Sequence, residues 1–292
     1  MKTVIGLSNS EKLATTVAKK AKARLGRAGM KRFPDGELYL QFKGKTGKEA
    51  YLVQSLNPNP DSALIELIFA ARTAKELGAK KVVGIIPYLA YMRQDKRFKK
   101  RECVSAKQMA FLLNSSLDGL ITVDPHLHRI KSLKQVFRIK TKKLSATSAI
   151  AKYIKKNFNR EKSLIVGPDI ESYQWARAIA NSIGFSSSIF LKKRSSARKV
   201  KIKVVKELEW KGKNVIIVDD IISTGHTMIE TVKEIKKRKP KAVYCICVHP
   251  IFAESAYEKL LKAGAKRIVS CNTIIHKSNK IDLSGVIAGE IK

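Results

Sequence analysis

Short aliphatic runs alternate along the whole chain with longer stretches in which apolar residues recur every three or four positions. The aliphatic runs predict strands over 3–7, 50–54, 81–86, 119–123, 163–166, 188–191, 214–218, 242–248 and 267–270. Most are continuous rather than alternating with polar residues, which suits strands buried on both faces in a parallel sheet. Helices are expected between most of them. The stretch 61–77 is the clearest, with Asp61 as N-cap, apolar residues at helical spacing and Gly78 as the stop. Near residue 145 the pattern restarts, because Leu144-Ser145-Ala146-Thr147 opens a helix that feeds a second set of strands. The expected architecture is α/β, with two tandem domains, 1–143 and 144–292, each a mainly parallel sheet flanked by helices. In such open sheets ligands collect at the carboxyl ends of the strands. The polar residues at those ends are therefore the candidates for function.

The run from Val215 to Thr227 carries the densest chemistry. Four aliphatic residues, 215–218, lead into Asp219 and Asp220, then Ser223, Thr224, Gly225, His226 and Thr227, then a helical pattern over 228–237. Small hydroxyl residues and a glycine at a helix N-terminus offer hydroxyls and backbone N–H groups to an anion. The two carboxylates one step earlier can accept hydrogen bonds from vicinal sugar hydroxyls, whereas a pocket for phosphate alone gains nothing from nearby negative charge. Together they point to ribose phosphate. The plainer alternative is an ordinary strand-to-helix turn with an Asp cap.

Other strand ends add polar groups. Arg32-Phe33-Pro34-Asp35-Gly36-Glu37 sets an aromatic ring and two acids around a turn, able to stack on a base and accept from its exocyclic amine, or simply to join two strands. The segment 87–97 follows an apolar strand and includes Arg93 and Gln94, a guanidinium able to stack on a purine while bonding phosphate and an amide beside it. Asp124-Pro125-His126-Leu127-His128 puts imidazole beside carboxylate, a pairing that binds a divalent ion or water. Gly167-Pro168-Asp169-Ile170-Glu171-Ser172 is a turn with two acids, and Mg2+ favours such oxygen ligands together with water and substrate phosphates. The basic stretch 191–199, with Lys192 and Arg194, reads by itself as a solvated hairpin. No Walker-type Gly-x-x-x-x-Gly-Lys-Ser/Thr occurs, and Gly44-Lys45-Thr46-Gly47-Lys48, which imitates one, reads as a hairpin turn.

At 292 residues with 44% hydrophobic content, the chain can bury two cores, and disorder is excluded as its general state. No apolar run approaches the about 18 residues of a membrane span and the start is too short for a signal segment, so no membrane is implicated and a cytoplasmic location is expected. Four cysteines, two of them alternating at Cys245 and Cys247, fit a strand core better than a zinc site. The net charge of +35 attracts polyanions, yet the basic residues are spread along the sequence. That favours a solvated lysine-rich surface over a dedicated nucleic-acid site, and makes any RNA contact non-specific.

Taken in order, Phe-Pro-Asp-Gly-Glu, Tyr-x-Arg-Gln-Asp, Asp-Pro-His, Pro-Asp with its following acid, Lys-x-Arg and the 219–227 loop resemble the ribose-phosphate diphosphokinases (PRPP synthetases), in their short archaeal-like form. Ser223, where many bacterial members have Asp, and His226, where Gly is frequent, depart from the common pattern. The resemblance implies two tandem type I phosphoribosyltransferase-like domains. The first would contribute to ATP binding, and the second would carry the ribose 5-phosphate loop and a flexible catalytic loop. It implies transfer of the β,γ-diphosphate of ATP to ribose 5-phosphate with Mg2+ as cofactor. It assigns ATP to Phe33, Asp35, Gly36, Glu37, Arg93, Gln94 and His126, and metal to His126 and Asp169. Ribose 5-phosphate falls to Arg194, Asp219, Asp220, Ser223, Thr224, Gly225, His226 and Thr227, and catalysis to Lys192 and Arg194. ATP lying between two subunits in that family implies a homodimer at least, with a hexamer as the larger assembly.

Overall fold

The computed structural model describes residues 1–127, 129–194, 200–204 and 208–291, with the backbone alone at 171, 190–194 and 200–204. The chain divides into two compact units, one formed by 1–145, 273–275 and 283–292, the other by 146–272 and 276–282.

The first unit runs β1 (Lys2–Gly6), α1 (Glu11–Ala21), β2 (Arg24–Gly26), β3 (Ala28–Arg32), β4 (Leu38–Phe42), β5 (Glu49–Val53), α2 (Pro60–Glu76), β6 (Lys81–Ile86), α3 (Ser105–Ser116), β7 (Gly119–Val123) and β8 (Lys140–Leu144). Its sheet has the order β2-β1-β5-β6-β7-β8, every neighbour parallel, while β3 and β4 form a separate antiparallel ribbon. Ala63, Leu64, Leu67, Ala70, Ala71 and Ala74 form the buried face of α2. That helix starts earlier than expected, with Asn59 as N-cap and Pro60 in its first turn, because proline's fixed φ and missing N–H suit that position. Asp61 therefore lies inside the first turn. The segment 44–48 is not a hairpin turn: it joins β4 of the ribbon to β5 of the main sheet, with Thr46 buried and Gly44 and Gly47 at positive φ.

The second unit runs α4 (Thr147–Asn157), β9 (Ser163–Gly167), α5 (Ile170–Ile183), β10 (Ser186–Arg194), β11 (Val200–Val204), β12 (Asn214–Ile222), α6 (His226–Lys236), β13 (Ala242–Pro250), α7 (Ala256–Lys262), β14 (Ala265–Cys271) and β15 (Asn279–Ile281). Its strand order is β11-β10-β9-β12-β13-β14-β15, parallel except for the β10–β11 pair. Val215 and Ile217 of β12, Cys245 and Cys247 of β13, Met228, Val232 and Ile235 of α6 and Leu260 of α7 share one buried core. Each fully buried aliphatic side chain there is worth about 1.5–3 kcal/mol. Burial also pushes the Cys245 and Cys247 thiols well up, so both stay neutral core residues.

Last comes α8 (Ser284–Ala288), which packs against α1 in the first unit. Lys2 Nζ donates to the Ile291 carbonyl at 2.8 Å and Lys142 pairs with Glu290 at 3.3 Å. Residues 283–292 thus fall in the first unit, whereas the range 144–292 assigns them to the second domain, because α8 packs on α1. Both units begin their sheets with the same device. A Cβ on Gly6 at the end of β1 would lie 2.6 Å from Glu11 Cα, and one on Gly167 at the end of β9 would lie 2.8 Å from Tyr173 Cα. Only glycine lets the following helix sit so close to the strand end.

Candidate functional site

In the second unit the chain leaves β9 toward β10 on one side and leaves β12 toward β13 on the other. The reversal opens a crevice at the carboxyl ends of β9 and β12, the usual ligand position in such sheets. Asp169 stands two residues past the end of β9, after Pro168. Asp219 and Asp220 lie within β12, which continues to Ile222, four residues past the expected end. The Asp220 N–H donates to Asp219 Oδ1 at 3.0 Å. Burial first, then the charges of Asp220 and Asp169, raise the Asp219 carboxyl well above the ordinary range. The fold therefore brings together three carboxylates separated by about fifty residues of sequence, and their mutual repulsion suits a site that receives a cation or hydroxyl donors.

Asp169 also has a structural duty. It is the N-cap of α5: the Ser172 N–H donates to its Oδ1 at 2.9 Å, and its own N–H donates to Ser172 Oγ at 3.2 Å. This reciprocal box fixes the side chain at the crevice. Among the described residues no three His, Cys, Asp or Glu side chains form a ready-made cation cage. Mg2+ does not require one, since it keeps several waters and shares substrate phosphates with one or two carboxylates. The donors at Asp169, Asp219 and Asp220 are hard oxygens and fit that ion.

Beyond β12, the turn through Ser223 and Thr224 reaches Gly225, the N-cap of α6, at φ 76° with no side-chain capping bond. The Ile229 N–H bonds back to the Gly225 carbonyl at 2.8 Å, so the N–H groups of 226–228 precede the helical ladder. Those N–H groups, the half-buried Ser223, Thr224 and Thr227 and the positive end of the helix dipole put together the donors an anion cradle needs. His226 is exposed, its Nδ1 3.2 Å from Thr224 Oγ1. On the other flank, β10 and β11 pair as an antiparallel hairpin, with Lys192 opposite Ile202 and Arg194 opposite Val200. The side chains of Lys192 and Arg194 and the tip 195–199 lie outside the described residues.

The first-unit candidates occupy separate loops. At the tip of the β3–β4 ribbon the Phe33 N–H donates to the Glu37 carbonyl, Gly36 has φ 93°, and the Glu37 N–H donates to Asp35 Oδ1 at 3.0 Å. The turn reading is right, and it leaves the Phe33 ring 45% exposed, braced edge-on by Tyr39. In the segment 87–97 the Tyr91 hydroxyl donates to Asp61, and burial with that bond pushes its pKa up to about 12. Gln94 Oε1 accepts from Ser105 Oγ at 2.7 Å, and Asp95, nearly enclosed, receives Arg129 Nη1 at 2.8 Å. Arg93 is exposed. His126 is half-buried in the loop after β7, whose first residue, Asp124, has φ 33°, and His128 lies outside the described residues.

Sequence reasoning missed a polar network at the corresponding crevice of the first unit, between β1 and β5. There Ser8 Oγ donates to Glu66, Gln54 Nε2 donates to Glu66 at 2.8 Å, the Asn9 N–H donates to Gln54 Oε1 at 3.1 Å, and the Ser55 N–H donates to Ser10 Oγ at 2.9 Å. The buried Glu66, on the inner face of α2, gave no local signal. This crevice satisfies its own polar groups and lacks both the acid pair and the small-residue cradle, so the two crevices are chemically unlike despite similar strand order.

Among the described residues no helix is long and apolar enough to cross a membrane. Residues 2–116 match the family model described as the N-terminal domain of ribose phosphate pyrophosphokinase, and 132–284 match the phosphoribosyl transferase domain. A ribose-phosphate pyrophosphokinase of Methanobrevibacter smithii is 37% identical over 301 residues, covering 99% of each chain. That of Methanopyrus kandleri is 32% identical, over 99% of this chain and 98% of its own. The crystal structure of phosphoribosylpyrophosphate synthetase from Mycobacterium smegmatis superposes with a TM-score of 0.85 at 25% identity, covering 99% of this chain and 97% of that one. With both units matched and the likeness running from end to end, the chain belongs to the ribose-phosphate pyrophosphokinase family.

Proposed function

We propose that this chain transfers the β,γ-diphosphate of ATP to the C1 hydroxyl of ribose 5-phosphate, giving PRPP and AMP. The observation that carries the reading is the end of β12, where two acids meet Asp169 beside an anion cradle, in a chain that matches a ribose-phosphate pyrophosphokinase over 99% of its residues. Ser223, Thr224, Gly225, His226 and Thr227 hold the 5-phosphate on N–H groups and hydroxyls, while Asp219 and Asp220 accept from the ribose hydroxyls. The C1 oxygen attacks the β-phosphorus in line, and the bond from that phosphorus to the α-bridging oxygen breaks, leaving AMP. Catalysis is mostly positioning and charge neutralisation. Mg2+, held with help from His126 and Asp169, would neutralise phosphate charge when bound. Lys192 and Arg194 close over the triphosphate, exclude water and donate to the bridging oxygen as charge develops there.

In this reading Phe33, Asp35, Gly36 and Glu37 of one copy meet Arg93 and Gln94 of another around adenine, so the working unit is a homodimer or a larger assembly such as a hexamer. The exposed ring of Phe33, held out on a short ribbon, supports that arrangement. The surplus positive charge allows RNA to bind without sequence preference. The deciding assay is AMP formation from ATP with ribose 5-phosphate supplied or omitted. Release that depends on the sugar phosphate is expected, and release indifferent to it refutes the assignment. Lys192→Ala should lower turnover about a hundredfold to a thousandfold with a much smaller change in KM, as for other lost transition-state donors.

A further inference from the structure

The turn between β13 and α7 is strained, and it lies against the anion cradle. Phe252, Glu254 and Ser255, none of them glycine, have φ of 45°, 54° and 58°. Such left-handed conformations persist in bulky residues only when their surroundings over-determine them, and they gather at functional sites. Here the surroundings are visible on both sides. The Phe252 N–H donates to the Ile222 carbonyl at 2.9 Å, at the last residue of β12 before the cradle. Ala256, fully buried, stands 3.1 Å from the position of a Cβ on Gly225, inside the cradle. The turn thus touches the cradle at its entry and at its N-cap.

An aromatic stack holds the turn from behind. The Phe252 ring, 9% exposed, lies 5.3 Å from Tyr257 and 4.7 Å from His276, and those two are 5.0 Å apart. The imidazole is fixed in turn by the Ser278 N–H, which donates to its Nδ1 at 3.1 Å, and the His276 backbone N–H is anchored on Asn279 Oδ1 at 3.0 Å. Lys277 covers the other aromatic ring, 4.5 Å from Tyr257, and pairs with Glu258 at 3.1 Å. Aromatic rings in edge and tilted contact resist displacement more than aliphatic groups of similar size. The stack therefore transmits a fixed position to the Ile222 carbonyl and to Gly225.

We propose that Phe252 is a positioning residue that shapes the 223–227 cradle and so sets affinity for the phosphate of the sugar substrate. The inference rests on reading that cradle as the ribose 5-phosphate site. The test compares Phe252→Ala and Phe252→Leu with the unaltered protein. Steady-state kinetics vary each substrate, calorimetry follows ribose 5-phosphate and inorganic phosphate, and thermal unfolding checks the fold. A misplacement well below 1 Å should raise KM for ribose 5-phosphate about tenfold in the alanine variant and about threefold in the leucine variant. Calorimetric affinities should weaken in parallel, with KM for ATP and turnover at saturation within about twofold of the original. If the alanine variant does not fold, the leucine variant decides. Unchanged affinity for ribose 5-phosphate in a folded variant, or an equal rise in both KM values, overturns the role of Phe252. Failure of the unaltered protein to bind ribose 5-phosphate overturns the cradle assignment itself, and this proposal with it.

Discussion

Gly167 closes β9 where α5 turns back across it, and alanine there adds a methyl group at a point with no room for one. Its Cβ would lie 2.8 Å from Tyr173 Cα, 2.9 Å from Tyr173 N and 3.2 Å from the Ser172 carbonyl carbon. Carbon atoms rest comfortably at about 3.5 Å, so α5 must retreat by roughly 0.7 Å at that turn. The obstacle is backbone, which no rotamer change relieves. Overpacking of this kind costs about 1–3 kcal/mol. At about 3 °C per kcal/mol for a domain of this size, the unfolding midpoint should fall by roughly 3–9 °C. The assay is selective, because both tryptophans of the chain, Trp175 and Trp210, lie in the second unit and their fluorescence follows its unfolding. The same retreat carries Asp169 away from Asp219, so Gly167→Ala should also weaken use of ribose 5-phosphate and Mg2+. Gly212→Ala separates the causes: its φ of 72° invites strain, but nothing lies within 4 Å of the added atom. That substitution should cost only about 1–2 kcal/mol and leave KM unchanged. A Gly167→Ala protein with the original midpoint and the original KM values would refute the packing argument.

Other outcomes follow from the site. The folded protein holds the Asp219 pKa above its unfolded value, so between the two it binds more protons than the unfolded chain, and stability falls as pH rises through that window. Asp219→Asn should therefore raise the thermal midpoint at pH about 8, with the gain vanishing below the ordinary carboxylate pKa of about 3.9, while binding of ribose 5-phosphate weakens; a gain constant across pH contradicts this. Asp95→Ala removes a nearly enclosed partner from the half-exposed Arg129, which after discounting for solvent should cost about 1 kcal/mol and raise KM for ATP; an unaltered KM for ATP refutes a role for that link. RNA affinity should fall by orders of magnitude as salt rises from about 50 to about 200 mM, and salt-insensitive, sequence-selective binding by gel shift contradicts the non-specific reading.

Elements buried on both faces were legible in the chain. β9, β12 and β13 announce themselves as aliphatic runs because a central parallel strand has no solvent face. β8, Lys-Thr-Lys-Lys-Leu, carried no such mark: it is an edge strand, buried only at Leu144, and its lysines are the charges that exposed sheet edges commonly carry. β2 and β15 are three residues long and equally silent. The strand-to-helix turn at 219–227 was readable because its acids, hydroxyl residues and glycine are contiguous. The approach of Asp169 to Asp219 was not a matter of spacing, since it depends on β9 and β12 becoming neighbours. Phe252 and His276 gave no signal, because their importance lies in contacts between loops distant in sequence. Glu66 was hidden for the same reason, as a charge on an otherwise apolar helix face.

The return of 283–292 to the first unit makes the second unit, in effect, an insertion within the first. During synthesis the second unit is complete once residue 282 has emerged, whereas the α1 surface of the first unit stays open until α8 arrives. A chain cut at 282 would then harm the first unit, although the cut falls beside the second in sequence. Loss of ten residues next to the second unit in sequence should uncover the face of α1 on which α8 packs, at the other end of the polypeptide.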